Sequence, residues 1–136
     1  MTKKASKNTE LVKSFEEALD ILESRSPGIK EEFEAISQLK TRYSRRIINE
    51  FKLMIIIEVL NEGWIPDWKN FSQRKWYPWF YIDSTGAIAG LGYVSSIHAA
   101  SFTTAFFGSR LCCKSEKLAE YAGRTFLPLY NEMLLG

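Results

Sequence analysis

The residues best suited to bind something sit in the middle of the chain. All four tryptophans, Trp64, Trp68, Trp76 and Trp79, fall in one stretch, joined by Phe71, Tyr77, Phe80 and Tyr81. Lys69, Arg74 and Lys75 are interleaved with them. Flat aromatic faces stack on unpaired bases while neighbouring cations meet phosphates. The same faces stack on sugar rings. Their competing use is internal, because large aromatics contribute much buried area in a small domain. A second basic set, Arg110, Lys114 and Arg124, lies farther on. It flanks Ser115, a residue type that caps helix starts, and the free amides of a helix start suit an anion.

Catalytic chemistry has less to work with. His98 follows Ser95 and Ser96. A Ser–His pair needs a third orienting group and an oxyanion site, and no G-x-S-x-G pattern accompanies it. Gly90-Leu91-Gly92 lacks the third glycine and the following helix of a dinucleotide site. Glu58 and Glu62 stand four apart, and a solvated helix edge explains them without an E-x-x-H partner. Cys112 and Cys113 are adjacent. A disulfide between neighbours is strained, so two reduced thiols packed as small apolar residues are expected. One histidine and no separated cysteine pair give no metal pattern. No cofactor and no catalytic residue are expected.

The elements that must position these residues follow from periodicity. Leu11, Phe15, Leu19 and Leu22 mark a helix beginning near Thr9 and ending at Ser26-Pro27-Gly28. Ile29, Phe33, Ile36 and Leu39 mark a second, from Ile29 to Leu39. From Ser44 to Asn61 the chain is apolar nearly all round in its second half, which predicts a central buried helix stopped by Gly63. Trp64 to Gln73 reads as an irregular connection. Trp76 to Ile82 reads as extended, and Pro78 makes it an edge or bulged strand. Asp83 to Gly86 is a turn. Gly90 to His98 and Phe102 to Phe107 are further strand candidates, and Arg110 to Cys113 reads as a strand end. A last helix follows Ser115 with Leu118, Ala122, Phe126, Leu129, Tyr130 and Met133 as its stripe. Pro128 should kink or divide it.

The totals agree with one small domain. The chain has 136 residues, 46% apolar, 25% charged and 14% aromatic, with a net charge of +2. That composition excludes a disordered chain, and two cysteines exclude a disulfide-dense scaffold. Residues 1–75 carry 14 basic and 12 acidic side chains and the remainder four of each, so neither half is a nucleic-acid tail. Residues 1–9 are polar and expected to fray. No apolar run follows the basic start, so a cytoplasmic location is expected. The longest apolar run, Leu53 to Ile57, is far short of the roughly 20 residues that span a bilayer. The charge-free stretch Ser84 to Ser109 is too rich in Ser, Thr and Gly to do so.

Three segments carry a resemblance. They are Leu60 to Trp68 (LNEGWIPDW), Lys75 to Phe80 (KWYPWF), and Gly108 to Gly123 (GSRLCCKSEKLAEYAG) with Phe126 and Tyr130. The pattern resembles a family of small uncharacterised bacterial proteins, often carried by prophages and mobile elements, with motifs LNEGWxPDW, KxYPWF and GSRLCxKSxxLAEYAG. Cys113 stands where an aromatic is common in that family, and Pro128 interrupts the last helix. The resemblance implies a buried helix end with an aromatic cap, a strand running into a helix through Ser115, and a variable segment at residues 84–107. It transfers no catalytic residue.

The expectation is therefore one α+β domain. N-terminal helices precede a small antiparallel sheet of about three strands, and a C-terminal helix packs on the sheet. The expected function is a non-enzymatic binding module of phage or mobile-element origin. Trp64, Trp68, Arg74, Lys75, Trp76, Trp79, Arg110 and Lys114 are its candidate contacts, with single-stranded nucleic acid as the partner. The alternatives are a protein-interaction or assembly module using the uncharged segment 84–109, and an enzyme with an unrecognised site.

Overall fold

The structure, a computed structural model, describes residues 11–70, 72–86, 88–99 and 109–135. Helix α1 spans Phe15–Arg25, α2 Ile29–Ser37 and α3 Ser44–Asn61. Strands β1, Lys75–Ile82, and β2, Ile88–Ala99, follow, then a 3-10 turn at Ser109–Leu111. Helices α4, Glu116–Thr125, and α5, Leu127–Leu135, close the chain. The class is α+β.

Local chemistry sets the helix limits. α1 starts six residues later than its apolar spacing suggests, because Ser14 caps it and Glu17 reaches back to the amide before the cap. The Ser14 hydroxyl accepts the Glu17 amide at 3.1 Å, and the Glu17 carboxylate accepts the Lys13 amide at 2.7 Å. α2 ends at Ser37, two residues early, and buries none of its own residues. It is held by Phe33, whose ring lies 4.7 Å from Phe15 and 6.1 Å from Phe51. α3 runs as expected. Leu53, Ile55, Ile56, Ile57, Val59 and Leu60 are buried in it, each worth about 2 kcal/mol of transfer free energy. It stops where Glu62 and Gly63 both turn left-handed, at φ 53° and 88°. Ser115 caps α4 by accepting the Leu118 amide at 3.2 Å. The last helix is divided at Phe126, which leaves Pro128 in the first turn of α5, where its missing amide costs nothing.

α3 is central. α1, α2 and α5 pack on it, and α4 packs on both strands. One continuous apolar core joins the helices and β1, with Phe80 of β1 5.0 Å from the Tyr130 ring.

Among the described residues the sheet has two strands, paired antiparallel. Phe102 to Phe107 and residues 1–9 lie outside the described residues. Arg110 to Cys113 is a 3-10 turn leading to a single bridge, in which Trp76 and Cys113 exchange both backbone hydrogen bonds at 3.1 and 2.7 Å. The expected effect of Pro78 appears. It pairs with Ser96, and the register then jumps so that Phe80 faces Leu91. Trp79 sits opposite the resulting bulge.

Candidate binding surface

The aromatic segment does not present one face. Trp68 and Lys75 belong to the inside of the connection between α3 and β1. Asx turns shape that loop: Asp67 Oδ1 accepts the Lys69 amide at 3.0 Å and Asn70 Oδ1 the Ser72 amide at 2.9 Å. The loop folds over the Lys75 ammonium, which donates to the carbonyls of Gln73 at 3.0 Å and Asn70 at 3.3 Å. The same Nζ lies 5.1 Å from the Trp68 ring centroid. Lys75 is fully buried at 0% exposure. This corrects its reading as a phosphate contact. A sealed ammonium that uses its protons on backbone carbonyls and its charge on an indole face holds the loop shut.

Trp76 is half-buried and packs on the core, with the exposed Arg74 guanidinium 6.0 Å from its ring. Trp64, also half-buried, walls a separate cleft of about 340 Å³ at the end of α3. Met54, Ile57 and Pro66 line the apolar part of that cleft, with Glu58 and Arg110 beside them. Arg110 is exposed. Lys114 is drawn into the structure at that end: its amide donates to Asn61 Oδ1 at 3.0 Å and its ammonium to Glu62 Oε1 at 3.0 Å.

Of the four tryptophans only Trp79 is exposed, at 44%. Two residues on, and so on the same face of β1, Tyr81 is 50% exposed, with Ile82 beside it at 61%. The eight candidate contacts thus fall into separate places: Lys75 and Trp68 inside a loop, Arg74 and Trp76 at the start of β1, Trp64 and Arg110 at a cleft, Lys114 in an ion pair, and Trp79 on an open strand face.

The thiols and phenols nearby are quiet. Burial pushes the Cys112 thiol up to about 11, against the opposing pull of the Lys75 charge, and Cys113 up to about 12. Burial also raises Tyr77. Both cysteines are free and buried. A thiol held neutral is a poor nucleophile, so these side chains act as packing.

Two residues lie outside the eight candidate contacts. Asn61 is buried at 3% exposure and bonds to the backbone of residues 112 and 114. Its signal was an amide closing an apolar helix, where a buried polar group must find partners. Tyr81 completes the exposed pair with Trp79, and strand alternation would have named it. Among the described residues no helix is long and apolar enough to cross a membrane. No protein-family model matches the chain, and no curated protein or solved structure is similar to it.

Proposed function

We propose that this protein is an interaction module that assembles through the aromatic face of β1, with a second copy of the chain as its occupant. The observation that carries this reading is the exposed pair Trp79 and Tyr81 on one face of β1, in a stretch of sequence without Lys or Arg. From Trp76 to Ser109 the sequence contains no Lys or Arg, and its one carboxylate is Asp83. Asp83 is engaged in the turn, where Oδ1 accepts the Thr85 amide at 2.8 Å. A face of this kind meets its own copy without like-charge repulsion. Exposed Trp and Tyr side chains supply large contact area at low entropic cost, and such residues dominate interface energetics.

The same face is poorly equipped for single-stranded nucleic acid. Stacking proteins pair their rings with cations that track the backbone. Here Lys75 is withdrawn, and the exposed cations of the segment, Lys69 and Arg74, stand in the connection before β1.

Sedimentation velocity tests the assembly. The wild-type chain should show a concentration-dependent dimer at micromolar concentration. Trp79→Ser should weaken it by roughly 30-fold, the cost of one interface hot spot. Tyr81→Ser should act in the same direction. A strict monomer at every accessible concentration, or a dimer indifferent to both substitutions, overturns the reading.

A further inference from the structure

The strongest charge cluster in the molecule is not in the aromatic segment. Between Ala35 and Asn49 the sequence has four cations, Lys40, Arg42, Arg45 and Arg46, and no Asp or Glu. All four fall within seven residues, around Tyr43. We propose that this junction of α2 and α3 is a binding surface for single-stranded nucleic acid, with the cations on the phosphates and Tyr43 under a base.

The local structure holds these side chains outward. The link between the helices is tied by its small hydroxyl residues: the Thr41 amide donates to Ser44 Oγ at 2.6 Å and the Tyr43 amide to Thr41 Oγ1 at 3.2 Å. Because Thr41 and Ser44 satisfy the backbone, the larger side chains are left to solvent. Tyr43 is 64% exposed, the most exposed aromatic ring among the described residues. Lys40 and Arg42 are exposed, and among the described residues neither makes an ion pair.

The remaining two cations are only lightly engaged. Arg45 Nε lies 3.0 Å from Glu132 and Arg46 Nε 3.8 Å from Glu50, both in exposed pairs. Exposed pairs contribute little and exchange readily for a better acceptor. A guanidinium presents five donors in a planar fork, so each arginine can keep its glutamate and still reach a phosphate. Placing two arginines in the first turn of α3, against its macrodipole, also costs stability that an anion would return. The pairing of an exposed ring with flanking cations is what a single strand requires, since stacking takes an unpaired base. A duplex offers no free base face to Tyr43.

Fluorescence anisotropy with a fluorescein-labelled oligothymidylate tests this surface, using the full chain. Binding should weaken by roughly 50-fold between about 50 and 200 mM salt if four phosphates are met on a single strand. Lys40→Ala/Arg42→Ala should weaken it by about tenfold or more at low salt and flatten the salt dependence. Tyr43→Ala should weaken the single strand by about tenfold and leave duplex binding unchanged. Lys69→Ala/Arg74→Ala, which removes exposed cations of the aromatic segment, should change nothing. All variants should keep the wild-type urea midpoint, because the altered side chains are exposed. The proposal is overturned by the absence of binding at low salt, or by a loss that follows Lys69 and Arg74 instead. It is also overturned by duplex binding tighter than single-strand binding, or by equal affinity for phosphatidylserine vesicles.

Discussion

The amide of Asn61 donates to the carbonyl of Cys112 at 2.8 Å, across 51 residues of sequence. The same side chain accepts the Lys114 amide at 3.0 Å. Asn61 thus reads the backbone on both sides of Cys113, whose own amide and carbonyl are paired with Trp76. One side chain therefore locks the end of α3 to the segment that lies beside β1 and leads into α4.

Replacing Asn61 should cost more than an ordinary polar substitution. Asn61→Leu removes both bonds and leaves a buried carbonyl and an amide without partners, at about 1–3 kcal/mol for each group left unsatisfied. Asn61→Asp keeps the acceptor but sets a buried carboxylate against a carbonyl oxygen, and should be worse above neutral pH than below pH 4. Urea unfolding measures both. A shift below about 1 kcal/mol for Asn61→Leu would remove the clasp from the account.

Lys75 should behave as a structural residue. Lys75→Ala leaves the Asn70 and Gln73 carbonyls and the Trp68 face without their cation, and should destabilise the fold by about 2–4 kcal/mol. Lys75→Met fills the same volume without a charge and should cost less, since removing a buried ion also removes its desolvation. Both should shift the tryptophan emission, because Trp68 loses its ammonium. Oligonucleotide affinity of the Met variant should equal the wild type. A selective loss of affinity with unchanged stability would return Lys75 to the ligand.

Much of the helical architecture is legible in the sequence. α3 can be read to the residue because its apolar surface, its flanking charges and Gly63 all point the same way. Ser115 and Pro128 mark the start and the division of the C-terminal helices for equally local reasons. The limits of α1 and α2 are less visible. Apolar spacing extends back past Ser14, whereas a side-chain cap decides where the backbone turns. The candidate surface was harder still. Interleaved aromatics and cations read the same whether the cations point out or in, and Lys75 points in because a loop wraps it. Tyr43 and its neighbours do not show in a charge sum over half the chain, because a binding surface is a matter of seven residues.

The two thiols give the fold an alkaline limit. In the unfolded chain they ionise near 9.0; in the fold, burial holds Cys112 to about 11 and Cys113 to about 12. The neutral thiol is thus favoured by folding, and the unfolded chain loses its protons first. Their contribution should be constant below pH 9, and stability should fall as pH rises towards the folded values, by up to about 1.4 kcal/mol per pH unit for each thiol. Cys112→Ala/Cys113→Ala should flatten that decline, whatever its effect at pH 7. The native thiols should also resist a disulfide reagent at pH 8 and react at once in urea. Rapid labelling of the folded chain would contradict the burial.

An acid limit arises at the other end of the molecule. The Glu23 carboxylate accepts the Lys30 amide at 2.9 Å and the Gly28 amide at 3.2 Å, closing the start of α2 after the left-handed Gly28. Those backbone bonds, that from Lys30 first, hold its carboxyl below the ordinary 4.5. A lowered carboxyl stabilises the fold above its unfolded value, and the contribution is lost as pH falls through the folded one. Nearby, the Lys30 ammonium is held charged by Asp20 at 2.7 Å, so the local field changes with acid through the carboxylates and not through the lysine. Amide exchange at Gly28 and Lys30, corrected for intrinsic rates, should therefore be slow at neutral pH and lose protection below pH 4. Glu23→Ala should be unprotected at both. Equal protection in the variant would mean that α2 is held by Phe33 alone, and that its capping carboxylate is incidental.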